Sequence, residues 1–267
     1  MSAPPAGLDL AEYEALLRAD LAGFAERAFC ELYPQTDFLA NWHQRVIAAK
    51  LVAVYQGRIR RLIINVPPRH LKSHLVSVTF PAWCLGHRPS LQFLCVSYAQ
   101  DLADKLSRDC RRIMTSDWYQ RLFATRLAPR HQAVSEFETT RQGCRLATSV
   151  GGVPTGRGAD MIIIDDPLKP EEALSQAQRR AANEWFDHTL YSRLNDKHDG
   201  AIIVIRHQVM ENRGFPRETR SYSRIRVHPA LSASTCFNRL QSALCIPDAS
   251  GGYVRRGCFN VPQSALK

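Results

Sequence analysis

The 267 residues include 45% hydrophobic and 22% charged side chains, with eleven Phe, eight Tyr and four Trp, a composition that supports a sizeable core and excludes a disordered or fibrous chain. The net charge of +10 by itself suggests a polyanionic partner, but residues 206–267 hold nine Arg and one Lys against Glu211, Glu218 and Asp248, net +7, leaving only +3 for residues 1–205. No stretch approaches the ~18 consecutive apolar residues of a membrane span, and MSAPPAGLDLAEYEALL lacks the basic-then-apolar order of a secretory signal, so no membrane association and a cytoplasmic location are expected.

Residues 8–32 place Leu10, Tyr13, Leu17, Leu21, Phe24 and Phe29 mostly three or four apart, which predicts one amphipathic helix ended by Pro34. A second helical pattern over roughly 41–56 leads through Gly57 into RLIINV (61–66), an apolar run suited to a strand covered on both faces. Arg58, Arg60 and Arg61 read as solvated charge ahead of that strand. Further short apolar runs stand at 91–97, 143–149, 161–164 and 201–205, with helical patterns at 99–116 and 171–194; in the latter, Leu174, Ala177, Ala181, Trp185, Leu190 and Leu194 share a face. Strands alternating with helices predict an α/β fold, a three-layer arrangement around a mainly parallel central sheet. From Arg206 onward neither periodicity is sustained, and Arg, Ser and Cys are enriched. The eight cysteines form no Cys-x-x-Cys pair and no zinc spacing, so reduced, structural thiols are expected. His70 and His74, four apart with no acid nearby, make a poor metal pair.

The chemistry concentrates where LIINV runs into PPRHLKS and then a helix-like segment. A strand–loop–helix junction directs backbone N–H groups and a helix N-terminus at one point, which suits a phosphate. Lys72 and Ser73 fall where the last two residues of G-x-x-x-x-G-K-[ST] would stand, although Val66 and Leu71 replace both glycines. Ninety-three residues after Lys72, MIIIDDP ends a strand with Asp165 and Asp166. One such carboxylate can hold Mg²⁺ while its neighbour orients an attacking water.

These residues, with GGVPTGRGADMIIIDDP (151–167), resemble the large terminase subunits of tailed bacteriophages and prophages, ATP-driven DNA-packaging motors. Pro67, Pro68, Arg69, Lys72 and Ser73 match a variant phosphate loop of that family, P-P-R-x-x-K-S, and Gly156 to Asp160 match its Gly-Arg-Gly-Ala-Asp segment. The resemblance spans roughly 38–205. It implies a P-loop NTPase fold of the additional-strand type, ATP held by Pro67, Pro68, Arg69, His70, Leu71, Lys72 and Ser73, and Mg²⁺ held by Ser73 and Asp165. Lys72 and Asp166 are then catalytic, and Arg69 or Arg157 is the arginine that stabilises the transferring phosphoryl group; a plain charge on a Gly-rich turn is the competing reading of Arg157. FLANWHQ (38–44) resembles the family's adenine-recognition segment, with Gln44 as purine contact and Trp42 expected in core packing. Implied partners are double-stranded DNA, a portal protein, a small terminase subunit and further copies of the chain in a ring, within a bacterial host's cytoplasm.

The expected organisation is an N-terminal helical segment (1–37), an ATPase domain (38–205) and an atypical tail (206–267). Only three acids stand in the tail, so a two-metal nuclease site is not expected there, and departure from an ancestral reading frame near Arg206 would explain its composition. Two other readings stay open. One is a truncated prophage remnant that binds nucleotide or an assembly partner without turnover; the other is a helicase-like P-loop ATPase.

Overall fold

The computed structural model describes residues 7–152, 156–169, 171–207 and 226–229. The single helix expected over 8–32 is two: α1 (Leu10–Ala19) and α2 (Leu21–Leu32). Asp20 breaks them, because its carboxylate accepts the N–H groups of Ala22 (3.2 Å) and Gly23 (2.8 Å) and so caps a new helix. α3 (Trp42–Tyr55) follows as predicted.

Among the described residues, eight strands form one sheet: β1 (Arg61–Val66), β2 (Gln92–Ser97), β3 (Leu127–Gln132), β4 (Glu136–Thr139), β5 (Cys144–Ser149), β6 (Met161–Asp165), β7 (Ala201–His207) and β8 (Arg226–Pro229). Their order is β3-β4-β5-β2-β6-β7-β1-β8. The five strands from β5 to β1 are parallel, while β3, β4 and β8 run antiparallel at the two edges. β7 separates β1 from β6, so the strand entering the phosphate loop and the strand ending in the acid pair are not neighbours. That is the additional-strand arrangement of the expected fold.

Alternate residues of the central strands bury against helices on both faces. Leu62, Ile64, Cys95 and Ile163 meet a layer that includes α2, α3, α4 (Phe80–His87), α5 (Gln100–Thr115) and α6 (Asp117–Leu122). Ile63, Leu94, Ile162, Ile164 and Val204 meet Ala182 of α7 (Gln176–Trp185) and Phe186, Leu190 and Leu194 beyond it. With each fully buried aliphatic side chain worth roughly 1.5–3 kcal/mol, this two-sided burial holds the carboxyl ends of β1, β6 and β7 in one place.

The helix expected over 171–194 is segmented. Ser175 accepts the N–H of Gln178 and starts α7 afresh, π-helical turns cover Phe186–Leu190, and Leu174 is 73% exposed instead of sharing the buried face. The arginines before β1 also depart from a solvated cluster. Arg61 is buried and donates to the carbonyls of Arg60, Gly200 and Lys197, while Arg60 pairs with Asp199 at 2.9 Å. These contacts tie the start of β1 to the turn before β7. Cys84, Cys95, Cys110 and Cys144 are free and buried, and Cys30 is free and half-buried. Among the described residues no helix is long and apolar enough to cross a membrane.

β7 continues through Arg206 and His207, and Arg226–Pro229 pairs with β1. The remainder of the atypical segment, including Cys236, Cys245 and Cys258, lies outside the described residues.

Candidate functional site

The loop after β1 turns sharply at two non-glycine residues, Arg69 (φ 63°) and Leu71 (φ 57°). Leu71 stands where the strict phosphate-loop pattern has its second glycine, and it adopts the left-handed conformation that glycine takes without steric cost. The chain then becomes helical at Lys72 and remains so to His87, with π-helical turns over His74–Thr79. Pro81 accounts for the widened turns: it has no N–H for the carbonyl four residues earlier, and its ring crowds that carbonyl.

The loop and the end of β6 converge across β7. Lys72, 4% exposed, donates from Nζ to Asp166 Oδ2. Ser73 Oγ donates to Asp165 Oδ1 at 3.1 Å, and Ser77 Oγ donates to Asp165 Oδ2 at 2.7 Å. Asp166 has φ 48°, and its N–H donates to Ile205 O of β7 at 2.9 Å. Two adjacent residues therefore face different partners: Asp165 meets two hydroxyls and Asp166 meets the lysine. Burial pushes the Asp165 carboxyl up to about 6; the charge of Asp166 adds to the rise, while Lys72 and the two hydroxyls oppose it.

The donor set suits a hard cation, being carboxylate and hydroxyl oxygen. The 3.1 Å between Ser73 Oγ and Asp165 Oδ1 is close to the ~3.0 Å edge of an octahedron with ~2.1 Å metal–oxygen bonds. Ser73 and Asp165 can thus serve one Mg²⁺ together. The lysine beside them and the helix beginning at Lys72 suit a phosphate anion.

The other predicted residues divide by location. Pro67, Pro68, His70 and Leu71 form the loop, and His70 Nδ1 lies 2.8 Å from Pro68 O. Arg69 is exposed at its crest, with no side-chain hydrogen bond or ion pair among the described residues. α3 abuts the loop, because His43 Nε2 lies 3.4 Å from His70 O. Gln44 is buried and occupied by its own turn: Oε1 accepts the N–H of Asn41 at 2.9 Å and Nε2 donates to Leu39 O at 3.2 Å. A purine contact requires exchange of one of these bonds. Trp42 is not in the core as expected; it is 47% exposed on the outer side of the first turn of α3, whose next two residues, His43 and Gln44, are buried. Arg157 is turned away from the lysine and the acid pair, its Nη2 held by Glu136 (2.8 Å) and Glu138 (3.2 Å) of β4. His74 is a core residue, with Nε2 2.9 Å from Ala25 O, and burial lowers its pKa to about 4.

Three residues at or behind the site do not stand out as site residues in the sequence. Ser77 stands one helical turn beyond Ser73, a spacing that puts both hydroxyls on the face of β6. Arg145 is the one charged residue of β5. Arg206 lies at the end of β7, its pKa lowered by burial and supported by the charge of Asp166.

No family model and no curated protein matches the sequence. Solved structures similar to the chain include those of phage large terminases. The HK97 bacteriophage large terminase aligns at 14% identity and a TM-score of 0.45 over 70% of this chain and 37% of its own length. A mutant of the Thermus phage P74-26 large terminase ATPase domain aligns at 14% identity and a TM-score of 0.43 over 82% of this chain and 93% of that one. The chain spans well under half of the HK97 protein.

Proposed function

We propose that the chain is a Mg²⁺-dependent ATPase, the motor domain of a terminase large subunit. The observation that carries this reading is the meeting of Lys72 and Ser73 with Asp166 and Asp165 at the ends of two strands separated by β7. Ser73 and Asp165 would hold Mg²⁺, whose charge offsets that of the phosphate oxygens when it is bound. Lys72 exchanges Asp166 for the β/γ-phosphates when nucleotide enters, and this releases the Asp166 carboxylate to orient a water and accept its proton. Arg69, exposed on the loop, would serve the γ-phosphate of the same subunit. Arg157, held at the β4 edge, is placed to serve a neighbouring copy in a ring after exchanging its glutamate partners.

In this reading ATP hydrolysis drives double-stranded DNA into a procapsid, with a portal protein and a small terminase subunit as partners, in the cytoplasm of a bacterial host. Support for these partners comes from the loop and Gly-Arg-Gly-Ala-Asp resemblance and not from charge, since residues 1–205 carry only +3. The purified chain, assayed with Mg²⁺ and duplex DNA, is expected to release phosphate from ATP, and Lys72→Ala and Asp166→Asn are each expected to reduce this by at least about 100-fold. Nucleotide binding without turnover in the wild type, with portal and small subunit added, would contradict the motor and favour the inactive remnant.

A further inference from the structure

We infer that Arg145 is a positioning residue for Asp165, acting through Ser77; the functional part of this inference rests on the nucleotide-site reading above. Arg145 lies on β5, two strands from β6, and is fully buried. Its Nη2 donates to the backbone carbonyl of Ser77 at 3.0 Å. That carbonyl is the one four residues before Pro81, the residue with no N–H to give it. The hydroxyl of the same Ser77 donates to Asp165 Oδ2 at 2.7 Å. The side chain of Arg145 thus replaces the helical hydrogen bond that proline removes, and fixes the residue that orients the proposed metal-holding carboxylate.

The environment of Arg145 argues against a purely architectural role. Nε and Nη1 are buried with no hydrogen-bond partner among the described residues, and it forms no ion pair there. Its charge opposes the burial-driven rise in the thiol pKa of both Cys95 of β2 and Cys110 of α5, and Cys95 also senses Asp165, so the cation lies beside the sheet and α5 as well as the Ser77 carbonyl. An apolar side chain of similar volume is usually as good for folding as a buried ion, or better. What such a side chain cannot supply is a donor for the Ser77 carbonyl. Outer partners of metal-holding groups typically alter metal affinity by about 10- to 100-fold; Ser77 is such a partner of Asp165, and Arg145 acts one contact further out by holding Ser77.

The test uses the full chain and a fluorescent ATP analogue, titrated with Mg²⁺ and with EDTA, for the wild type, Arg145→Met, Ser77→Ala and the double variant. Mg²⁺ is expected to tighten binding to the wild type. Arg145→Met should lose about tenfold in affinity with Mg²⁺ while keeping its affinity in EDTA. Ser77→Ala should behave alike, and the double variant should be no worse than the weaker single. Pro81→Ala, which restores an N–H near the Ser77 carbonyl, should recover part of the loss in Arg145→Met. Where the Met variant does not fold, Arg145→Gln, a neutral side chain shorter by the guanidinium group, is read in the same way. Equal loss with and without Mg²⁺, no loss, or losses that add across Arg145 and Ser77 overturn the inference. If the wild type itself ignores Mg²⁺, the nucleotide-site reading fails instead; the Arg145–Ser77 coupling is then read from thermal unfolding without nucleotide, where non-additive shifts support it and additive shifts overturn it.

Discussion

Replacing Asp165 with Asn should stabilise the nucleotide-free protein at neutral pH while removing its Mg²⁺ response. Asp165 is 1% exposed, and burial together with Asp166 raises its carboxyl from 3.8 to about 6. A group that binds its proton more tightly in the folded state stabilises the fold below its unfolded pKa, and that contribution is lost as pH rises through the folded value. The window here is about pH 4 to 6. At roughly 1.4 kcal/mol per unit, the ionised carboxylate costs the fold up to about 3 kcal/mol at pH 7. Asparagine stays neutral at every pH and fits the same hydroxyls, since one serine can donate to its carbonyl oxygen while the other accepts from its amide. Urea unfolding in EDTA should therefore show Asp165→Asn more stable than the wild type by about 1–3 kcal/mol at pH 7, with the difference shrinking towards zero near pH 4. Taking the difference cancels the titration of the other groups. A variant less stable at pH 7, or a difference independent of pH, would refute the burial argument for this carboxylate.

His74 should act in the opposite sense. Its pKa falls to about 4 through burial, so its contribution is present above the unfolded value of about 6.5 and is lost as pH drops towards 4, worth about 3 kcal/mol; His74→Gln should flatten this part of the stability–pH curve measured by urea unfolding. At Arg69 the left-handed backbone costs about 1–2 kcal/mol, so Arg69→Gly should leave stability equal or raise it by up to about 1 kcal/mol, after glycine's larger chain entropy is counted. The same variant should lower turnover, a split visible by comparing thermal unfolding with phosphate release. Gly143→Ala should destabilise by about 1–3 kcal/mol, because a Cβ there meets the backbone carbonyls of Pro89 at 2.2 Å and Leu91 at 2.6 Å; calorimetric unfolding checks it.

Much of the architecture was legible because its signals are local. The apolar runs at 61–66, 91–97, 143–149, 161–164 and 201–205 became the five parallel strands, and the Lys72–Ser73 and Asp165–Asp166 pairs lie against each other. Short-range capping explains the helix errors: Asp20 and Ser175 each start a new helix inside a stretch whose apolar period continues across them. Trp42 misled because a large aromatic side chain carries no mark of which side of its helix turn faces the core. Arg145 and Ser77 were hidden for a different reason. Their roles depend on contacts across strands and on the N–H that Pro81 lacks, which no window around either residue reveals. Arg61 shows the same limit, since its partners at Lys197 and Gly200 are distant in sequence.

In the proposed site, Lys72, Ser73, Asp165 and Asp166 serve one Mg²⁺–nucleotide complex, and Lys72 changes partners when it binds. A crystal structure of the chain with Mg²⁺ and a non-hydrolysable ATP analogue tests this most directly. The predicted result is a triphosphate on the Pro67–Ser73 loop, the cation beside Ser73 and Asp165, and Lys72 Nζ on the phosphate oxygens with Asp166 released. A triphosphate bound elsewhere, or one seated on the loop with the Lys72–Asp166 pair intact, would contradict it.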